Sequence, residues 1–232
     1  MFYMIKGENM KKIYPIIIFL VNLAALYMIF LWAPPERTLG DSYRVFFIHT
    51  PSAWVSYLAF TITFLSSILY LKTRNFKWDL YASSSALLGL LFCIITIITG
   101  AIWAKVAWGL YWNWDPRQTT TLVLMLAYLG YISFRMAIDD KEQRARVSSV
   151  LGILAFISIP LSYLSTIILA TIHPMPLIPT SKLQIGVEPT ILQTLLTSTF
   201  AVTLLFLWMF YITVEMYRTI DTIKSVKMEN VK

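Results

Sequence analysis

A single cysteine, Cys93, occurs in the 232 residues, and it lies in the middle of an apolar run. One thiol excludes an internal disulfide framework, a CxxC or CxxCH motif and a cysteine-based zinc cluster. Charge is equally scarce, at 13% of positions, while 58% are hydrophobic; an ordinary soluble domain carries about 25% charged residues. None of the glycines leads into a Lys-Ser/Thr pair at the spacing of a P-loop, so a nucleotide-driven step would have to come from another chain. There are only two histidines, His49 and His173. The interiors of the apolar runs hold no Asp, Glu, Lys, Arg or His, groups that ion-coupled transporters place near the membrane midplane. Paired helices broken by Gly or Pro, another transporter device, are not expected either. No internal repeat or low-complexity tract is present.

What is present is six apolar blocks, each long enough to cross a bilayer as a helix of about 20 residues. The expected spans are Ile13 to Trp32, Ala53 to Leu71, Leu80 to Trp103, Thr120 to Ala137, Val147 to Ile172 and Ile191 to Val214. The chain is therefore expected to be an all-α, polytopic membrane bundle of six helices. It forms a single membrane domain over 1–232, with a tryptophan-rich outer loop at 104–119. Lys6, Lys11 and Lys12, then Lys72, Arg74 and Lys77, then Arg135, Lys141, Arg144 and Arg146, and finally Arg218, Lys224, Lys227 and Lys232 all fall on one side of that layout. Only Arg37, Arg44, Lys105, Arg117 and Lys182 fall on the other. By the positive-inside rule both termini face inward and the odd-numbered connections face outward. The net charge of +7 is thus an orientation signal and a source of contact with anionic lipid, rather than a sign of nucleic-acid binding. The first block is too long for a signal-peptide core and lacks a small-residue cleavage site, so it is expected to stay as a helix. Met10-Lys11-Lys12 resembles a natural start, which makes residues 1–9 an expected unstructured extension.

Both histidines are expected on the outer side, His49 before the second span and His173 after the fifth. Six of the eight tryptophans, Trp32, Trp54, Trp103, Trp108, Trp112 and Trp114, fall on or near the same side. An interfacial belt populates both surfaces, so this imbalance points to a flat aromatic ligand outside. The segment Trp108-Gly109-Leu110-Tyr111-Trp112-Asn113-Trp114-Asp115-Pro116-Arg117-Gln118-Thr119 is the densest part of that face. Asp115 is expected to N-cap the fourth span, with Pro116 at its first position and Gln118 completing a capping box; Thr50-Pro51 is expected to start the second span. Capping explains Asp-Pro and leaves the tryptophans unexplained. Two neutral imidazoles with an aromatic platform suit a planar metal macrocycle such as haem, bound through His49 and His173. Arg44, Arg117 and Lys105 are the nearby cations for its propionates. Against this stand plainer roles: polar interface residues for the histidines, snorkelling for Arg44 and Lys105, and packing for Phe46, Phe47 and Tyr163. A quinone-binding subunit and a small-solute transporter remain open as functions.

The Trp108 to Thr119 segment resembles the tryptophan-rich signature of the WWD family of cytochrome c assembly proteins. Tyr43-Arg44 leading to His49-Thr50-Pro51, the short six-span layout and His173-Pro174 are similar to the CcmC branch of that family. Pro116 and Gln118 stand where this branch often has Ala and Leu, and the Trp-Asp-Pro form is shared with the larger CcmF and CcsA branches, whose additional spans and histidines this chain does not match. The resemblance implies haem b as cargo, held on the outer (periplasmic) side of the cytoplasmic (inner) membrane between His49 and His173. Trp108, Trp112, Trp114 and Asp115 would lie against the haem, with Arg44 and Arg117 as propionate partners. It further implies presentation to the haem chaperone CcmE, and work alongside CcmD and the ATP-binding-cassette pair CcmA and CcmB. An iron with both axial positions filled has no vacancy for oxygen chemistry, so a holding role rather than enzymatic catalysis is expected.

Overall fold

The computed structural model describes residues 2–174 and 188–229. Seven α-helices follow one another: α1 (Phe2–Tyr27), α2 (Phe46–Thr73), α3 (Phe76–Trp108), α4 (Pro116–Ala137), α5 (Lys141–Phe156), α6 (Ser158–Ile168) and α7 (Pro189–Glu229). A π-helical turn, Met28–Trp32, extends α1, and a 3-10 turn, Asp41–Val45, leads into α2. No strand occurs among the described residues. Taking α5 and α6 together, six stretches are long and apolar enough to cross a membrane. The expected count and class are therefore observed. Lys182 and Lys232, two of the cations used for orientation, lie outside the described residues.

The boundaries differ from the expected ones in ways that matter for the outer end. Helix α1 begins at Phe2, so the stretch before Met10 is helical rather than an unstructured extension. Helix α2 starts at Phe46 instead of Ala53 and takes Pro51 into its second turn; Thr50-Pro51 is inside the helix, and His49 is on it. Helix α3 continues past Trp103 to Trp108, where Gly109 closes it at φ 82° with its N–H on the Lys105 carbonyl at 3.1 Å. A left-handed residue is a common helix terminator, and glycine adopts that conformation without a Cβ clash. The expected loop 104–119 thus shrinks to seven residues, 109–115. The fifth span ends at Ile168, not Ile172, and it is broken at Ile157. Pro160 explains the break: it offers no N–H to the Phe156 carbonyl four residues earlier. One span is therefore interrupted by proline, although uninterrupted spans were expected.

The bundle is organised around α2 and α3, its most extensive helix pair. Their backbones approach closely because small residues face one another. A Cβ on Gly89 would meet the Phe60 ring at 2.6 Å, and Ser85 Oγ donates to the Ala59 carbonyl at 2.6 Å. Small residues at membrane helix contacts permit this packing, since lipid provides no hydrophobic drive between helices. On one flank Phe60 stacks on Tyr128 of α4 with ring centroids 3.5 Å apart, in a core completed by Ala86, Leu90, Cys93, Leu124, Tyr131 and Ala155. On the other flank Val55, Ala59, Leu88 and Phe92 pack on Phe206 of α7. Helix α1 leans on α7 and shows most of its large side chains outward, as a lipid-facing helix does.

Two charges enter the bundle at this end: Asp79 in the first turn of α3, just before the expected third span, and Arg135 in the last turn of α4, near the end of the expected fourth. Arg135 donates from both terminal nitrogens to the Asp79 carboxylate, at 2.6 and 2.7 Å, and both side chains are largely buried. Breaking such a pair costs about 3–5 kcal/mol, because the remaining charge is left uncompensated, whereas replacing both partners by apolar residues is often neutral. Arg135→Ala is therefore expected to lower stability by about that amount, and Asp79→Leu with Arg135→Met to recover most of it. Unfolding in mixed micelles measures both.

Candidate functional site

Three pieces of chain build the candidate site: the start of α2, the end of α3 with the loop after it, and the segment following α6. His49 Nδ1 lies 3.0 Å from the Thr96 carbonyl and 3.2 Å from Thr99 Oγ1, both on α3. The carbonyl accepts only, so Nδ1 carries the proton and Nε2 keeps its lone pair. Gly100 makes room for the ring: a Cβ there would come within 2.8 Å of His49 Cε1. Thr96, Thr99 and Gly100 are spaced by three and four residues and so share one face of α3.

Asp115 is the joint of the site. It is 6% exposed and N-caps α4, accepting the Arg117 N–H at 2.9 Å, with Pro116 at the first helical position as expected. Gln118 does not complete a capping box: its Oε1 accepts the Asn113 N–H at 3.2 Å, and the Asp115 N–H goes to Asn113 Oδ1 at 3.2 Å. The other oxygen of Asp115 reaches across to the segment after α6, where Thr171 Oγ1 donates at 2.6 Å and the Ile172 N–H at 3.0 Å. Thr171 Oγ1 in turn accepts the His173 N–H at 3.0 Å. Burial raises the Asp115 carboxyl, but the Thr171 hydroxyl, the Arg117 and Ile172 N–H groups and the nearby His173 outweigh it and hold it below its ordinary value.

This anchoring sets His173 against two tryptophans of α3. Its ring is 5.5 Å from Trp108 and 6.4 Å from Trp103, and those two are 5.5 Å apart, all in edge contacts. His173 Nδ1 and Trp103 Nε1 are buried with no hydrogen-bond partner among the described residues. Burial, then the charge of Arg117, then that of His49, push the His173 imidazole down to about 4, against a smaller opposing pull from Asp115. It is therefore neutral at pH 7, with a lone pair available. The electrostatic coupling also places both histidines and Arg117 in one neighbourhood.

Arg117 donates to the Ser162 carbonyl and sits between two phenol rings, 5.9 Å from Tyr57 and 6.0 Å from Tyr163. Tyr163, expected as a packing residue, thus faces a site cation. The remaining expected residues make contacts of their own. Arg44 bonds Asp41 at 2.9 Å and the carbonyls of Ile29 and Ala33, closing the end of the first span. Trp112 and Trp114 contact each other at 5.8 Å. Trp114 is 71% exposed and left-handed, at φ 60°. Lys105 donates to the Gly109 carbonyl at 2.8 Å. Residues that sequence reasoning did not include are Trp103, Thr96, Thr99, Gly100 and Thr171. The Thr96, Thr99 and Gly100 face lies inside the expected third span, and its spacing of three and four residues was the signal that could have found it.

Removing the Asp115 carboxylate leaves the Thr171 hydroxyl and the Ile172 and Arg117 N–H groups without their acceptor. Asp115→Ala is expected to cost about 1–3 kcal/mol locally and to raise amide hydrogen exchange at 117–119 and 171–173 together. Acid acts in the same direction. Both groups have lowered folded pKa values, so unfolded chains bind the extra protons first and stability falls as pH falls. The loss begins near pH 6.5 through His173, runs to about 4, and continues below the ordinary carboxylate range through Asp115. His173→Gln should flatten the upper part of that decline in melting curves.

A family model described as "Heme exporter protein C" matches residues 1–229. A protein of Marchantia polymorpha named "Putative cytochrome c biosynthesis ccmC-like mitochondrial protein" is 34% identical over 149 residues, 64% of this chain and 63% of its own. "Heme exporter protein C" of Bradyrhizobium diazoefficiens is 33% identical over 177 residues, 75% of this chain and 66% of its own. The protein of the same name from Escherichia coli K12 is 28% identical over 174 residues, 75% of this chain and 69% of its own. The chain spans slightly less than two thirds of the first two relatives' length. Six apolar helices together with a family match over nearly every residue lead to one conclusion: the chain belongs to the CcmC family, Heme exporter protein C.

Proposed function

We propose that this multi-pass membrane protein serves cytochrome c maturation by holding haem b as cargo on its outer side and presenting it to a haem chaperone of the CcmE type. CcmD and an ATP-binding-cassette pair, CcmA and CcmB, are the partners this reading implies, and the inner membrane with the histidine end outward is the location. The observation that carries the reading is the state of the two imidazoles. His49 is held through Nδ1 by an α3 carbonyl, which directs its other nitrogen to a metal and orients the ring. His173 is neutral and packed on tryptophan, with a buried ring nitrogen lacking a partner. These are the donor chemistry and the apolar flank that haem iron and its ring require.

Within this reading Trp103 and Trp108 cover the porphyrin beside His173, and Arg117 is the better placed propionate partner. Arg44 is engaged by carbonyls of the first span, so a role for it at a propionate needs that contact to be shared. Trp112 and Trp114 lie at the rim, where Trp114 is open to an incoming partner or the lipid headgroups. Haem supplies an iron that accepts two nitrogen ligands; the chain supplies the ligands, the aromatic cover and the cation. Release then consists of one histidine yielding its place to a ligand from the chaperone. A more open site favours this, because every tenfold gain in affinity slows release about tenfold when association is unchanged.

Protein purified with ample haem supply is expected to show a pyridine haemochrome spectrum and a low-spin, bis-histidine absorption pattern. His49→Ala and His173→Ala should each lose that pattern, and Gly100→Ala should weaken it by displacing the His49 ring. Haem-free wild-type protein, with detergent loss controlled in nanodiscs, would overturn the proposal. So would normal loading of the chaperone by either histidine variant.

A further inference from the structure

At the far end of the bundle from the histidines, a cavity of about 960 Å³ lies between α3, α4 and α7. Helices α4 and α7 both lean on α3 and scarcely on each other, which leaves the space between them. One wall is apolar, formed by Leu80, Leu87, Ile132 and Met136. Leu87 and Met136 are 39% and 81% exposed, so this wall is continuous with the lipid-facing flank of the bundle.

The mouth is cationic. Lys77, Arg135, Lys141, Arg144 and Arg218 line it against Asp79, Asp139 and Asp221. Two of those acids are already committed, Asp79 to Arg135 and Asp221 to Lys141 at 3.2 Å. Lys77 and Arg144 have no carboxylate partner among the described residues; Arg144 donates to the Ile138 and Asp139 carbonyls at 3.3 and 3.2 Å, and Arg218 is paired with Glu215 at 2.6 Å, a contact a phosphodiester would have to share. Tyr81 brings two cations to one ring: Lys77 Nζ is 5.5 Å from its centroid, and Arg218 donates to its hydroxyl at 3.4 Å. Two helix starts add to the positive field, because the first turns of α3 and α5 supply Phe76, Lys77, Lys141 and Arg144 to the lining.

We infer that this cavity is a binding site for the headgroup of an acidic phospholipid. The phosphodiester oxygens meet Lys77, Arg144 and Arg218, and an acyl chain runs along Leu80, Leu87, Ile132 and Met136. Basic pockets between membrane helices bind anionic headgroups in this way. A soluble phosphate would use the cations and leave the apolar wall uncovered, which is why a lipid is the occupant.

The test uses the full chain in detergent and in nanodiscs, with native mass spectrometry and thermal melting as readouts. Phosphatidylglycerol is expected to stay bound and to raise the melting temperature, whereas phosphatidylcholine and glycerol 3-phosphate should do neither. Each cation near an anionic surface is worth about fivefold in affinity, so Lys77→Gln with Arg218→Gln should weaken phosphatidylglycerol binding by about 25-fold. Lys72→Gln with Arg146→Gln removes the same charge away from the cavity and should leave binding unchanged. Lys77→Arg with Arg218→Lys keeps the charge and should retain binding; loss of affinity in that pair overturns the site even if the glutamine pair is poorly folded. Equal binding of phosphatidylcholine, displacement by glycerol 3-phosphate, or equal weakening by the control pair also overturns it.

Discussion

The Asp115 carboxylate binds together two parts of the chain that are 56 residues apart, and the arrangement of the histidine end follows from that link. One oxygen begins α4 by taking the Arg117 N–H; the other takes the Thr171 hydroxyl and the Ile172 N–H. A carboxylate this buried is tolerated only when donors replace the water it has lost, and three do so here. Because Thr171 also accepts the His173 N–H, the position of that histidine over Trp103 and Trp108 depends on the same group. The cap at a helix start and the anchor of a site residue are one interaction.

The second histidine is positioned by a different constraint, the close approach of α2 and α3. Small residues let the two backbones meet, and near their outer ends this contact presents the Thr96 carbonyl and the bare surface of Gly100 to the His49 ring. The interruption of the fifth span has a related effect. With α6 turned off from α5 at Ile157, Ser162 meets the Tyr57 hydroxyl of α2 and the Thr121 hydroxyl of α4, each at 3.0 Å, and its carbonyl receives Arg117. Polar groups inside a membrane bundle need such partners, since lipid offers none. The two ends of the bundle thus carry different chemistry: neutral imidazole, indole and phenol at one, paired and unpaired cations over an apolar wall at the other.

Much of this was legible in the residues. Six continuous apolar blocks of about 20 residues specify six helices, because a run of that length crosses a bilayer with its backbone satisfied within the segment only as a helix, and Asp115-Pro116 is readable as a helix start because its chemistry is local. The tryptophan-rich segment marked the end of the bundle where His173 meets Trp103 and Trp108. Its division between helix and loop was not legible, because Trp103 to Trp108 is apolar enough to belong to either, and only Gly109 shows where the helix stops. Trp103 was therefore left out of the site, and His49 was placed before a helix that in fact contains it. Arg44 reads as a site cation from its proximity to His49 in sequence; that its guanidinium meets the Ile29 and Ala33 carbonyls at the end of the first span is a contact no local pattern announces.

The sequence by itself determined the membrane-spanning class, the number of membrane-crossing stretches, the gathering of histidine and tryptophan towards one end, and the family resemblance, since each depends on composition, local spacing or motif. Only the tertiary structure decided which nitrogen of His49 is free, what holds His173, which tryptophans stand beside it, and where the cations of the far end converge. Those outcomes depend on atoms contributed by helices distant in the chain, within hydrogen-bond or van der Waals range. Such distances are set by packing, and periodicity along a single segment carries no information about them.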